Sequence, residues 1–216
     1  MCGRYSNHVK AMLAWEEILG RWPQEIAQSH NIAPGQMIAA FSQQGGFAMR
    51  WGMLPPWSNE PSTKYSTFNA RIETVADKPL YRNAWRESRR CLIPALGYYE
   101  WQAGKHGKQP YFIHSGSGEP LLFAGLYEPA KNATVPISCT MLTREANQRL
   151  EAIHPRMPVV LSLESSTSWF GADPDEAMQL VLGNSDAELD FHPVSRQVNN
   201  ARNQADDLIQ PIELSQ

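Results

Sequence analysis

The chain has 216 residues, enough for one domain with its own core and too few for two, so residues 1–216 are expected to fold as a single unit. No apolar run approaches the roughly 20 residues that span a bilayer, and residues 1–21 lack the basic-then-apolar order of a signal peptide, so a soluble cytoplasmic protein without a membrane partner is expected. The net charge of −3 would argue against nucleic acid, except that it is polarised: residues 1–163 hold 17 Lys and Arg against 12 Asp and Glu, residues 164–216 hold 2 against 10, and 13 of the 19 bases are arginine, whose planar fork suits phosphate.

In chain order, residues 8–22 place Val9, Met12, Leu13, Ile18 and Leu19 at helical spacing before Pro23. The texture then changes to short β-rich runs at 37–41, 47–51, 98–102, 111–113, 121–127, 137–142 and 158–161. Gly-rich turns at 45–46, 104–107 and 115–118 separate them, so most strands are expected to be joined by short antiparallel connections. Residues 58–67, with Pro61 and five Ser or Thr, read as a long exposed loop. Helical stretches are expected at 78–87, 144–153, 163–170 and 173–182, with Arg82, Arg86, Arg89 and Arg90 coating a solvated helix face. The fold class is α+β: a single domain with a mainly antiparallel, curved or barrel-like β-sheet and peripheral helices. Cys91 and Cys139 lie in apolar runs far apart, with no CxxC spacing, and read as buried small hydrophobes; no disulfide, metal site or cofactor is expected. Asn132-Ala133-Thr134 fits a glycosylation sequon, which carries no weight in a chain without a secretory signal.

The most distinctive chemistry stands at position 2. Methionine is removed ahead of a small residue, so the mature chain is expected to begin with Cys2. That residue then holds two nucleophiles, an α-amine of pKa about 7.7–8.0 and a thiol of about 8.5. The amine condenses with an aldehyde to an imine, and the thiolate closes a five-membered thiazolidine that a Schiff-base lysine cannot form. Four further segments carry polar residues in company that packing alone does not explain. They are Asn31-Ile32-Ala33-Pro34-Gly35, Phe68-Asn69-Ala70-Arg71-Ile72-Glu73-Thr74, the run from Cys91 to Trp101 with Glu100 between aromatics, and His154-Pro155-Arg156-Met157-Pro158.

In this order and spacing, these segments resemble the SOS-response-associated peptidase family, also called abasic-site processing proteins. The resemblance extends from Cys2 to His192-Pro193-Val194-Ser195 and residues 199–211. It implies an α+β domain that binds single-stranded DNA at abasic sites in the DNA damage response and links to them covalently through the N-terminal cysteine. By that resemblance Cys2 is the nucleophile, Asn69 orients it or hydrogen-bonds the linked sugar, and Glu100 and His154 are active-site residues. A carboxylate between Tyr99 and Trp101 is expected to be partly desolvated, which suits proton transfer; an imidazole titrating near about 6.5 can help open the sugar ring. The resemblance also points to Arg4, Arg71 and Arg156 as phosphate contacts, expected to converge on one groove with Cys2 while residues 164–216 lie largely away from it. Asn31, Pro34, Trp101 and Thr143 follow as groove contacts, and Trp57 as a ring stacked on a base beside the lesion; Trp51 reads as core. Family members often carry a second aromatic after this tryptophan, where Ser58 stands here, and a glycine where Asn200 stands. The implied partner is single-stranded DNA containing abasic sites, engaged by a monomer that is nucleoid-associated when bound to damage.

An open-chain abasic sugar loses its 3′ phosphate by β-elimination, and an imine at C1′ hastens this by acidifying C2′. Thiolate closure removes the imine, which accounts for a cysteine at an N-terminus. Three other readings of the residues stay open: a self-cleaving thiol peptidase, a glutamine amidotransferase that also begins with Cys-Gly, and a non-covalent single-strand-binding module.

Overall fold

A computed structural model describes residues 2–7, 13, 15–16, 19–23, 26, 28–104, 107–183 and 188–214. Among these residues the strands are β1 (Arg4–Asn7), β2 (Ser29–Ile32), β3 (Met37–Ser42), β4 (Gly45–Trp51), β5 (Asn69–Arg71), β6 (Arg90–Ala95), β7 (Gly97–Gly104), β8 (Gly107–Ser115), β9 (Leu121–Glu128), β10 (Ser138–Glu145), β11 (Arg156–Pro158) and β12 (Leu189–Pro193). The helices are α1 (Arg82–Arg86), α2 (Leu163–Trp169) and α3 (Pro174–Gly183). One sheet has the order β12-β8-β7-β1-β2, the other β11-β10-β4-β3-β6-β9. In the second, β9 also pairs back onto β10, so its strands close into a ring. The α+β class and the mainly antiparallel pairing are as the sequence leads one to expect. The departures are at β10, which runs parallel to both β4 and β5, strands reached through long excursions rather than hairpins.

Period-2 alternation explains which residues meet. From β6, Cys91, Ile93 and Ala95 enter the core between the sheets, with Tyr5, Trp51, Tyr98, Phe123, Cys139 and Met141. Leu92 points the other way, against Leu122, Leu126 and the two tryptophans Trp85 and Trp169 under the helices. On the far face of the five-stranded sheet, Tyr99 and Phe112 are covered by Val194, Val198 and Leu208 from the C-terminal segment. At Gly97 a Cβ would stand 2.4 Å from the Ile113 carbonyl, so a residue without one is needed where β1 and β8 flank β7. No described helix is long and apolar enough to cross a membrane.

Several expectations need correction. Residues 144–153 do not form a helix: β10 runs on to Glu145, paired with Arg156 of β11, and turns follow. The run at 158–161 contributes little strand, since β11 ends at Pro158 and Val160 makes an isolated bridge to Phe123. Arg89 and Arg90 lie beyond α1, not on a solvated face. Arg90 is buried with its guanidinium against the rings of Trp85 and Trp169, donating to the Ala172 carbonyl, while burial pulls its pKa down to about 10. Arg89 pairs with Glu87 and Glu128. The helix expected over 8–22 lies largely outside the described residues.

Candidate active site

Cys2 is fully buried just ahead of β1, whose Arg4 pairs with Tyr99 of β7, the residue before Glu100. Its sulfur donates to the Arg4 carbonyl at 3.5 Å. Burial foremost, and then the charge of Glu100, push the thiol well above its ordinary range, so at neutral pH it is held protonated. Asn69 opens β5, where pairing with Met141 of β10 fixes its direction, and its amide nitrogen donates to the Cys2 carbonyl at 2.7 Å. Because that carbonyl can only accept, the bond also fixes which end of the amide is nitrogen. Asn69 Oδ1 is left buried without a hydrogen-bond partner, and the Asn69 carbonyl accepts from the Tyr81 hydroxyl at 3.2 Å.

Glu100 is buried on β7 and accepts from the Trp101 amide at 3.3 Å. His154 ends a tight turn capped by Asn147 and stapled to β7 by Gln102, which donates to the Ala152 carbonyl. This brings His154 Nδ1 to 3.9 Å from Glu100 Oε2. The same nitrogen lies 3.0 Å from the Arg156 amide and 3.2 Å from the Arg156 carbonyl, so the backbone of Arg156 holds the ring in place. The four expected active-site residues, Cys2, Asn69, Glu100 and His154, therefore come together from four separated stretches of chain.

Beside them, Asn69 and Arg71 line a cleft of about 730 Å³ with Trp57, Tyr65, Lys78 and Tyr81. Trp57 and Tyr65 are 61% and 59% exposed, whereas Trp51 is buried and donates to the Phe68 carbonyl. Pro34 is exposed on a smaller neighbouring cleft that shares Tyr65 to Thr67. Arg71 is exposed. The other two arginines are engaged within the protein. Arg4 donates to Asn31 Oδ1 and the Val198 carbonyl, each at 2.8 Å, and to the Asn199 carbonyl at 3.4 Å. Arg156 grips Glu73 with two bonds of 2.6 and 2.9 Å and donates to the Thr143 carbonyl. Burial favours a neutral Glu73, but the bonds and charge of Arg156 and the charge of Arg71 outweigh it and hold the carboxyl below its usual range.

Asn31 and Thr143, expected as groove contacts, are fully buried and offer no surface in this structure. Asn31 also donates to the carbonyls of Val198, Asn200 and Asn203, which makes it a clamp on the C-terminal segment. Thr143 supports Arg156 from below. Trp101 is partly exposed and donates to Asn199 at 2.7 Å. Residues 164–216 were expected to lie largely away from the groove; residues 198–203 are an exception, since they pack on Arg4, Asn31 and Trp101. Tyr65, Glu73 and Tyr81 were not assigned roles from the sequence; an aromatic in a polar loop was the available signal for Tyr65.

The sequence matches the family described as SOS response associated peptidase (SRAP) over residues 1–201. It is 33% identical over 226 residues to the abasic site processing protein YoaM of Bacillus subtilis, covering 97% of each chain. To the abasic site processing protein YedK of Escherichia coli it is 31% identical over 231 residues, covering 98% of this chain and 100% of that one. A crystal structure of a protein from Bordetella bronchiseptica superposes with a TM-score of 0.79 at 26% identity, over 90% of this chain and 100% of that one.

Proposed function

Because the chain belongs to the SOS response associated peptidase family, we propose that it processes abasic sites in single-stranded DNA by linking to them through Cys2 once Met1 is removed. The observation that carries this reading is the hydrogen bond from Asn69 to the Cys2 carbonyl, next to Glu100 and His154. It fixes the one residue whose amine and thiol can both reach the same aldehyde carbon.

Burial and the charge of Glu100 favour the protonated thiol, which suits an order in which the α-amine reacts first. The α-amine attacks C1′ of the open sugar first, water leaves, and an imine forms. Sulfur then adds to the imine carbon, and its proton passes by way of Glu100 to the former imine nitrogen, which completes the thiazolidine. Closure competes with loss of the C2′ proton, so a fast ring protects the strand and a slow one cleaves it. His154 serves sugar opening, and Asn69 Oδ1 accepts from the amine or from a sugar hydroxyl. Arg71 is the readiest phosphate contact, and Trp57 offers its face to a base.

The test uses mature protein and a single-stranded oligonucleotide with one abasic site, resolved on a denaturing gel. A heat- and SDS-stable adduct is expected with the abasic strand and not with an intact one. An N-terminally tagged protein that links equally well overturns the mechanism.

A further inference from the structure

The turn that carries Trp57 is held by a residue outside the site. The Lys131 ammonium donates to the backbone carbonyls of Pro55 (3.5 Å), Pro56 (2.5 Å) and Ser58. Pro55 and Pro56 have no N–H, so at these positions the turn can be fastened through its carbonyls alone, and an ammonium with three donors matches three such acceptors. Inside the turn the Ser58 amide donates to the Pro55 carbonyl at 2.9 Å. Upstream, Gly52 turns the chain out of β4 at φ +124°, its amide donates to the Cys139 carbonyl, and the Leu54 amide donates to Ser138 Oγ. The segment is thus tied to β10 on one side and to Lys131 on the other, and it keeps a large apolar ring in water at its tip.

Lys131 is itself presented by an ordered turn. Asn132 Oδ1 accepts from the amides of Thr134 and Val135 and from the Thr134 hydroxyl, and the Lys131 amide donates to the Val135 carbonyl at 3.2 Å. The triplet that fits a glycosylation sequon therefore has its asparagine engaged in shaping the turn behind Lys131.

We propose that Lys131 is a positioning residue for strand binding, which acts through the turn at 55–58 to hold Trp57 over the cleft containing Asn69 and Arg71. The proposal rests on the reading of that cleft as the DNA site. A ring ordered before the strand arrives spares the complex the cost of ordering it, about 0.5–1.5 kcal/mol for one large side chain, or roughly 2- to 12-fold in affinity.

The experiment measures affinity for an intact single-stranded oligonucleotide at two salt concentrations for wild type, Lys131→Met, Trp57→Ala and the double variant. Lys131→Met is expected to weaken binding about 2- to 12-fold with an unchanged salt slope, and to have no further effect once Trp57 is alanine. An equal loss in both backgrounds, or a slope reduced by about one counterion, means that Lys131 touches phosphate directly and overturns the proposal. So does Lys131→Met binding like the wild type. Trp57→Ala binding like the wild type overturns the reading of the cleft itself, and the role of Lys131 with it. Lys131→Gln completes the same cycle should the methionine variant fail to fold.

Discussion

Asn69 and Cys2, 67 positions apart in sequence, are joined by one hydrogen bond from side-chain amide to backbone carbonyl at 2.7 Å. Asn69→Ala leaves the buried Cys2 carbonyl without its donor, at a cost of about 1–3 kcal/mol in stability. The crosslinking rate is expected to fall at least tenfold, because the amine and thiol lose their fixed approach. A variant that melts lower but links at the wild-type rate removes Asn69 from the reaction and leaves it a structural role.

Cys2→Ser keeps the amine and supplies a poorer nucleophile for closure. It is expected to give less stable adduct and more cleaved strand, followed over time as linked, intact and β-eliminated DNA on one gel. Glu100→Gln removes the proton carrier and should slow ring formation, reversal or both. Durable protection of abasic strands by Cys2→Ser would show that thiazolidine formation is not the reason for the cysteine.

The three arginines are expected to separate by their partners. Arg71→Ala, at an exposed side chain, should weaken binding to intact strands and lower the salt slope by about one counterion. Arg4→Ala should act mainly on stability, since its guanidinium ties Asn31 to residues 198–199. Glu73→Gln releases Arg156 from its two-bond grip and is expected to tighten binding to intact strands with a steeper salt slope. Equal effects of all three changes on the salt slope would overturn this division.

Burial foremost pushes the thiols of Cys2 and Cys91 and the hydroxyls of Tyr5 and Tyr98 above their ordinary ranges. Their folded pKa values exceed the unfolded ones, so as pH rises the unfolded chain releases these protons first. The associated stability is complete below the ordinary values, about 8.5 for the thiols and about 10 for the tyrosines, and each group's share is lost as pH climbs beyond its own value, at about 1.4 kcal/mol per pH unit. Denaturant melts between neutral pH and about pH 10.5 should show this fall, and Cys2→Ala should flatten it by one group's share. An unchanged slope in Cys2→Ala would mean that the thiol is not buried in solution.

The strands that were legible are those long enough to show alternation, such as β9, expected at 121–127 and found at Leu121–Glu128. The segments Arg-Tyr-Ser-Asn of β1 and Asn-Ala-Arg of β5 are too short and polar to carry a period, and distant partners make them strands. At 144–153 good helix-forming residues were overridden by the pairing of Glu145 with Arg156. Arg90 read as solvated because its neighbours in sequence are charged, whereas its neighbours in space are two indole rings. In the candidate site, Cys2 was singled out by its position alone, and Asn69, Glu100 and His154 by the family resemblance; the structure brings the four together. The burial of Asn31 and Thr143 was not, because a neutral polar residue gives no sign of which face of a strand it occupies. Lys131 carried no signal, since three backbone carbonyls from residues 55, 56 and 58 leave no trace in sequence.

The ring closed by β9 and β10 has a consequence for the order in which the protein becomes selective. Asn69 hangs on β10 through β5, and His154 leads into β11 on the edge of the same strand, while Glu100 belongs to the other sheet and Cys2 lies just ahead of that sheet's β1. β10 also pairs with β4, far behind it in the chain, and contacts of such long separation form late in folding. On the mechanism proposed above, a chain emerging from the ribosome carries its nucleophile long before the residues that would aim it are in place. On that mechanism, reactivity toward aldehydes precedes target discrimination, which arrives only with ring closure, and a molecule whose ring opens would keep the first and lose the second.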